Sequence, residues 1–189
     1  MDNKAETSPE GTTLLRRTHR VIQDFLPDLI YGANDGIVTT LAIVSGVVGA
    51  ALEPRVILIL GFANLIADGF SMGASNFLSK RTAKTASDRA TRGEAMQHGL
   101  ATFLGFITAG FAPLIAYLIP GITTDRFVVA VALALATLFV VGASRALFGE
   151  ERWLRGGLEM FVIGALAAAV AYAVGLVGAQ ILNNGAPIA

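Results

Sequence analysis

Five apolar runs dominate the chain, near Leu29 to Leu52, Val56 to Leu78, Gly99 to Ile119, Phe127 to Leu147 and Leu158 to Leu182. Each reaches the roughly 20 residues that an α-helix needs to cross about 30 Å of hydrocarbon. With 54% hydrophobic and only 15% charged residues, and a mean hydropathy of +0.64, the chain exceeds what a soluble domain tolerates. The expected fold is therefore an all-α integral membrane protein of five transmembrane helices. Residues 1–24 are expected to form a cytoplasmic tail and amphipathic lead-in, 25–182 the membrane domain and 183–189 an external tail. No apolar stretch precedes a small-residue cleavage site in the polar first 24 residues, so no removable signal peptide is expected.

Charge sets the expected orientation. Lys4, Arg16, Arg17, Arg20, Lys80, Arg81, Lys84, Arg89, Arg92, Arg145, Arg152 and Arg155 fall on one side of the five spans, and only Arg55 and Arg126 on the other, a division of 12 against 2. Positively charged loops stay in the cytoplasm, so the N-terminus is expected inside and the C-terminus outside. Residues 14–30 intersperse Leu14, Leu15, Val21, Ile22, Phe25 and Leu26 with charges, the pattern of an amphipathic helix on the membrane surface or leading into the first span. Pro27 is expected to bend that lead-in and Pro113 to kink the third span, where it removes the bond to the Ala109 carbonyl. Trp153 and Phe148 stand where interfacial aromatic anchors would.

Two acids, Asp35 and Asp68, sit inside the apolar runs. A carboxylate in hydrocarbon costs several kcal/mol or more and normally faces a bundle interior or an ion path. With no intramembrane Lys or Arg beside them, the pair needs a cation or a proton. Asn64, Asp68 and Met72 recur at i, i+4, i+8 on one face of the second helix, and Asp35 and Thr39 share a face of the first. Asp35 lies six residues in from Leu29 and Met72 six in from Leu78, which places both about 9 Å inside the cytoplasmic boundary. Carboxylate, amide and thioether together suit a borderline ion such as Fe²⁺ or Mn²⁺ rather than hard Mg²⁺ or Ca²⁺. The alternative is structural: Asp68 and Asn64 bonding across helices, and Met72 filling space.

GxxxG spacing at Gly32 with Gly36 and at Gly69 with Gly73 lets backbones approach closely and supports a dimer. In the connection from Ser79 to His98, Glu94 and His98 stand at i, i+4, a spacing more common on a solvated face than at a metal, and Asp88 and Met96 complete its potential metal ligands. Glu159 reads equally as a functional group or as a solvated helix start. No cysteine is present, so thiolate metal sites and cysteine nucleophiles are excluded. No P-loop, nucleotide-binding glycine motif or HExxH stands in the chain. The chain is accordingly expected not to be an enzyme, to hold no resident cofactor and to bind no nucleic acid.

The stretches YGANDGIVTTLAIVSGVVGA, GFANLIADGFSMGASNFLSKR and GLATFLGFITAGFAPLI resemble the vacuolar iron transporter family, in a short bacterial form, over residues 24–182. The resemblance implies a five-helix homodimer with a transition-metal path between protomers. It implies export of Fe²⁺, and often Mn²⁺, from the cytosol in exchange for protons, across a bacterial inner membrane. The family's first-helix aspartate falls on Asp35 and its second-helix methionine on Met72. Asn64 stands where better-known members have a glutamate, and the carboxylate-rich cytoplasmic domain they insert between spans two and three is missing.

The expected site is thus Asp35, Asp68, Met72 and Asn64 for metal, with Asp35 and Asp68 also carrying protons. The first helices are expected to face each other across the dimer axis through Gly32 and Gly36, bringing the two copies of Asp35 together. The competing reading is a membrane scaffold or partner-binding subunit whose acids only hold helices together.

Overall fold

The computed structural model of the chain describes residues 9–82, 91–121, 124–147 and 152–184, with backbone alone for 9–23 and 147. Among these the regular structure is entirely helical: α1 Pro9–Gly49, α2 Pro54–Thr82, α3 Arg92–Gly110, a 3₁₀ turn Ala112–Leu114, α4 Ile115–Leu118, α5 Arg126–Ser144, a second 3₁₀ turn Arg145–Leu147 and α6 Trp153–Asn184. Five stretches are long and apolar enough to cross a membrane: Asp24–Gly49, Pro54–Thr82, Arg92–Leu118, Arg126–Ser144 and Trp153–Asn184. They coincide with the five apolar runs, because in lipid only a helix satisfies every backbone N–H and C=O within one segment. Phe148, the residues around Asp88 and both chain ends lie outside the described residues.

The lead-in and the first span form one helix of 41 residues with Pro27 inside it. Pro113 has the larger effect. The helix stops at Gly110, passes through the 3₁₀ turn in which Leu114 N–H bonds Phe111 O at 3.1 Å, and resumes for four residues as α4. The expected kink takes this form because a missing N–H and a ring clash are relieved by tightening the turn.

Glycines set how the helices meet. Gly32 and Gly36 of α1 are buried against the backbone of α3, where any Cβ would collide with the carbonyls of Thr102 and Phe106, and Gly105 of α3 packs reciprocally on Leu29. α1 consequently packs more closely on α3 than on α2. This corrects the expectation that Gly32 and Gly36 face a second protomer: their close approach is used within one. Gly73 and Gly99 join α2 to α3 in the same way, a Cβ on either standing 2.7 or 2.6 Å from the other's carbonyl oxygen. At the other end of α2, the atoms nearest to Gly61 belong to the side chain of Leu114. The side of α1 turned away from α3 carries Tyr31, Asp35, Val38 and Ala42 at helical spacing. Tyr31 is 64% exposed and the other three are half-buried.

Candidate functional site

α1 and α2 run antiparallel, and polar side chains meet along their seam. Thr39 Oγ1 donates to the Asp35 carbonyl at 2.9 Å and accepts from Asn64 Nδ2 at 3.4 Å. Three turns before Thr39 on α1, Asp28 Oδ1 accepts from Asn76 Nδ2 at 2.8 Å. These two bonds fix the register. Thr39 stands opposite Asn64 and Asp28 opposite Asn76, so Asp35 stands opposite Asp68, whose charge acts on it.

The same register places Met72 opposite the stretch at Tyr31 and Gly32, about one turn from Asp35. That corrects the expectation of Asp35 and Met72 at one depth: α1 enters the seam well before Leu29 and α2 runs past Leu78, so counting from the apolar boundaries misaligned them. Met72 is half-buried and packs on the apolar core around Val44, Leu65 and Phe106. Asp35, Asn64 and Asp68 are half-buried, accessible to a small ion. Among the described residues no three His, Cys, Asp or Glu side chains converge. Among its described residues the chain therefore brings together at most two carboxylates, an amide and, a turn away, a thioether.

A second polar cluster lies at the Asp28 end of the seam. The imidazole Nδ1 of His98 on α3 contacts Asp28 Oδ2. Asn76 Nδ2 donates to Thr102 Oγ1 at 2.7 Å and to the His98 carbonyl at 3.3 Å as well as to Asp28, while Thr102 Oγ1 donates to the same carbonyl at 3.1 Å. The side chains of His98 and Asp28 are only 16% and 14% exposed, and Phe25 packs its ring 4.8 Å from the imidazole. Three helices are thus tied by one carboxylate, one imidazole, one amide and one hydroxyl. Sequence reasoning had not reached Asp28, Asn76 or Thr102. The available signal was Asn76, which continues the spacing of Asn64, Asp68 and Met72 by one further step of four.

Glu94 and His98 do share a helix, but Glu94 is bonded to Thr91 and His98 to Asp28. Thr91 caps α3, and Glu94 Oε2 accepts from Thr91 N and Oγ1 at 2.9 Å each, while Glu94 N donates back to Thr91 Oγ1 at 3.3 Å. This reciprocal box is visible in the sequence as Thr91-x-x-Glu94. Glu159 pairs with Arg155 at 3.5 Å on the exposed start of α6. Met96 is exposed beside Phe70, Phe77 and Phe103, and Trp153 stacks edge-on against Phe139.

A bundle of five apolar helices with a row of polar side chains along one interhelical seam defines a polytopic membrane protein with an intramembrane polar site. A family model described as the VIT family matches residues 26–95 and 83–176. The chain belongs to the VIT family. It is similar to "Vacuolar iron transporter" of Plasmodium falciparum, 26% identical over 84% of this chain and 84% of that protein, and to "Vacuolar iron transporter 1" of Arabidopsis thaliana, 22% identical over 87% and 91%. The Plasmodium alignment runs over 229 residues, more than the 189 of this chain, so that relative carries residues missing here. "Vacuolar iron transporter homolog 4" of Arabidopsis thaliana aligns over 155 residues at 28% identity, covering 76% of this chain and 78% of that protein.

Proposed function

We propose that the protein is a proton-coupled transporter that exports a divalent transition metal, Fe²⁺ or Mn²⁺, from the cytosol across a bacterial inner membrane. The observation that carries this reading is the opposition of Asp35 and Asp68 on the α1/α2 seam. Two carboxylates facing each other from adjacent spans, without a Lys or Arg partner among the described residues, call for a cation or a proton between them. Family membership and the similarity to iron transporters support the choice of metal. Asn64 adds an amide oxygen and Met72 a soft sulfur, which favours transition metals over Mg²⁺.

The working unit on this reading is a homodimer, its axis beside the Tyr31–Ala42 ridge of α1. There the two copies of Asp35 approach, and the donor set of one protomer is doubled. Metal loads from the cytosol, where Lys80, Arg81, Arg92, Arg152 and Arg155 mark the inner ends of the helices. Protons from the outer side displace it, giving exchange by mass action without ATP.

The test is metal-driven pH change inside vesicles reconstituted with purified protein, with Fe²⁺ or Mn²⁺ added. Asp35→Asn is expected to abolish it while leaving the protein folded, since the amide keeps the shape and removes the charge. An Asp35→Asn protein that exchanges at the wild-type rate would favour the scaffold reading, in which the acids only join helices. Orientation is tested separately: a C-terminal reporter active only in the cytoplasm should stay silent, and a strong signal refutes the assigned direction.

A further inference from the structure

The Asp28, His98, Asn76 and Thr102 cluster takes no part in the function just described, yet it lies on the same seam. We propose that the Asp28–His98 couple is a proton-exchanging site whose occupancy is linked to metal binding at Asp35 and Asp68. This rests on the transport reading above.

Imidazole is the one side chain that ordinarily changes charge near neutral pH. His98 is largely shielded, with Nδ1 on Asp28 Oδ2. Asn76 holds the other carboxylate oxygen at 2.8 Å, so Asp28 is fixed in place to receive a charged or a neutral ring. Among the described residues, the remaining charged groups around the imidazole are few. Glu94, one turn earlier on α3, is engaged by Thr91. Lys80 lies one turn beyond Asn76 on α2, and by the seam register stands opposite Asp24 of α1.

Asp28 and Asp35 are seven residues apart on one helix face, a rise of about 10.5 Å. That is too far for a shared hydrogen bond, so the link is electrostatic. At an effective dielectric of about 20, unit charges at about that separation change each other's binding roughly tenfold. A divalent ion between Asp35 and Asp68 therefore favours loss of the proton from His98. By reciprocity, a proton on His98 weakens the metal. A cytosolic fall in pH would then lower metal loading through a group outside the metal site.

The experiment uses the full chain purified in detergent, with Mn²⁺ affinity measured between pH 5.5 and 7.5 for wild type, His98→Gln and His19→Gln. His98→Gln is expected to bind like wild type at pH 7.5, to within about twofold, and to lose roughly tenfold of the weakening on acidification. His19→Gln should follow wild type. Metal binding with an unchanged pH dependence in His98→Gln overturns this inference alone. Wild-type protein that binds no metal at any pH overturns the transport reading and this inference with it.

A second measurement needs no change at His98. The chain has two histidines, so His19→Gln leaves one, and nitrogen-labelled histidine reports its charge by NMR. Zn²⁺ added at pH 6.5 should move His98 toward the neutral form, and in an Asp35→Asn background should not. Resonances indifferent to a metal that binds would refute the link.

Discussion

Asp28, Asp35 and Asp68 differ in what stands beside them, and their expected behaviour follows from that. Asp28 has an imidazole and an amide within bonding distance, whereas Asp35 and Asp68 face each other. Met72, a turn away and packed partly on the core, is placed to tune the choice of ion more than to hold it. Met72→Ala is therefore expected to reduce the preference for Mn²⁺ over Mg²⁺ more than it reduces the transport rate. Competition between the two ions in reconstituted vesicles measures this, and an unchanged preference would make Met72 a packing residue only. The acids at membrane depth were legible from sequence because charge inside an apolar run is conspicuous. Asp28 was not, since it sits where apolar and charged residues mix and its role depends on His98, 70 positions away.

At the scale of helices, the five spans were legible because each is a continuous apolar run bounded by charge. The identity of their neighbours was not. Gly32 and Gly36 announce a close approach without saying to what, and only the packing of α3 assigns them inside the protomer. The turn after α1 carries a further unannounced feature. Leu52 N–H bonds Val47 O at 3.1 Å and Ala51 N–H bonds Val48 O at 2.9 Å, a Schellman closure with Ala51 at φ 55°. That left-handed position favours glycine. Ala51→Gly is expected to stabilise the protein by about 0.5–1 kcal/mol, the relief of side-chain strain less the added freedom of the unfolded chain. Thermal unfolding in detergent should show a higher midpoint, and a lower one would mean that the Ala51 methyl contributes packing.

For the whole molecule, the proposed dimer makes a prediction about which cysteines meet. Single cysteines at Tyr31, Val38 or Ala42, on the side of α1 turned away from α3, are expected to crosslink two protomers. Gly36 and Thr40, buried against neighbouring helices, should not. The converse pattern, or silence along the whole ridge, would place the axis elsewhere. The glycine contacts also bear on how such a bundle moves. α2 is held backbone to backbone against α3 at Gly73 and Gly99 but cushioned by the Leu114 side chain at Gly61. A rod clamped near one end and padded at the other has a pivot. Asn64 lies nine residues from Gly73 and Asn76 three, lever arms of about 13.5 and 4.5 Å. A swing of about 10° around the clamp would displace Asn64 by about 2.4 Å and Asn76 by only about 0.8 Å. The Asn64–Thr39 bond, already 3.4 Å long, would part while Asp28 kept its amide. Motion about such a pivot would unzip the seam from the far end and leave the histidine end latched.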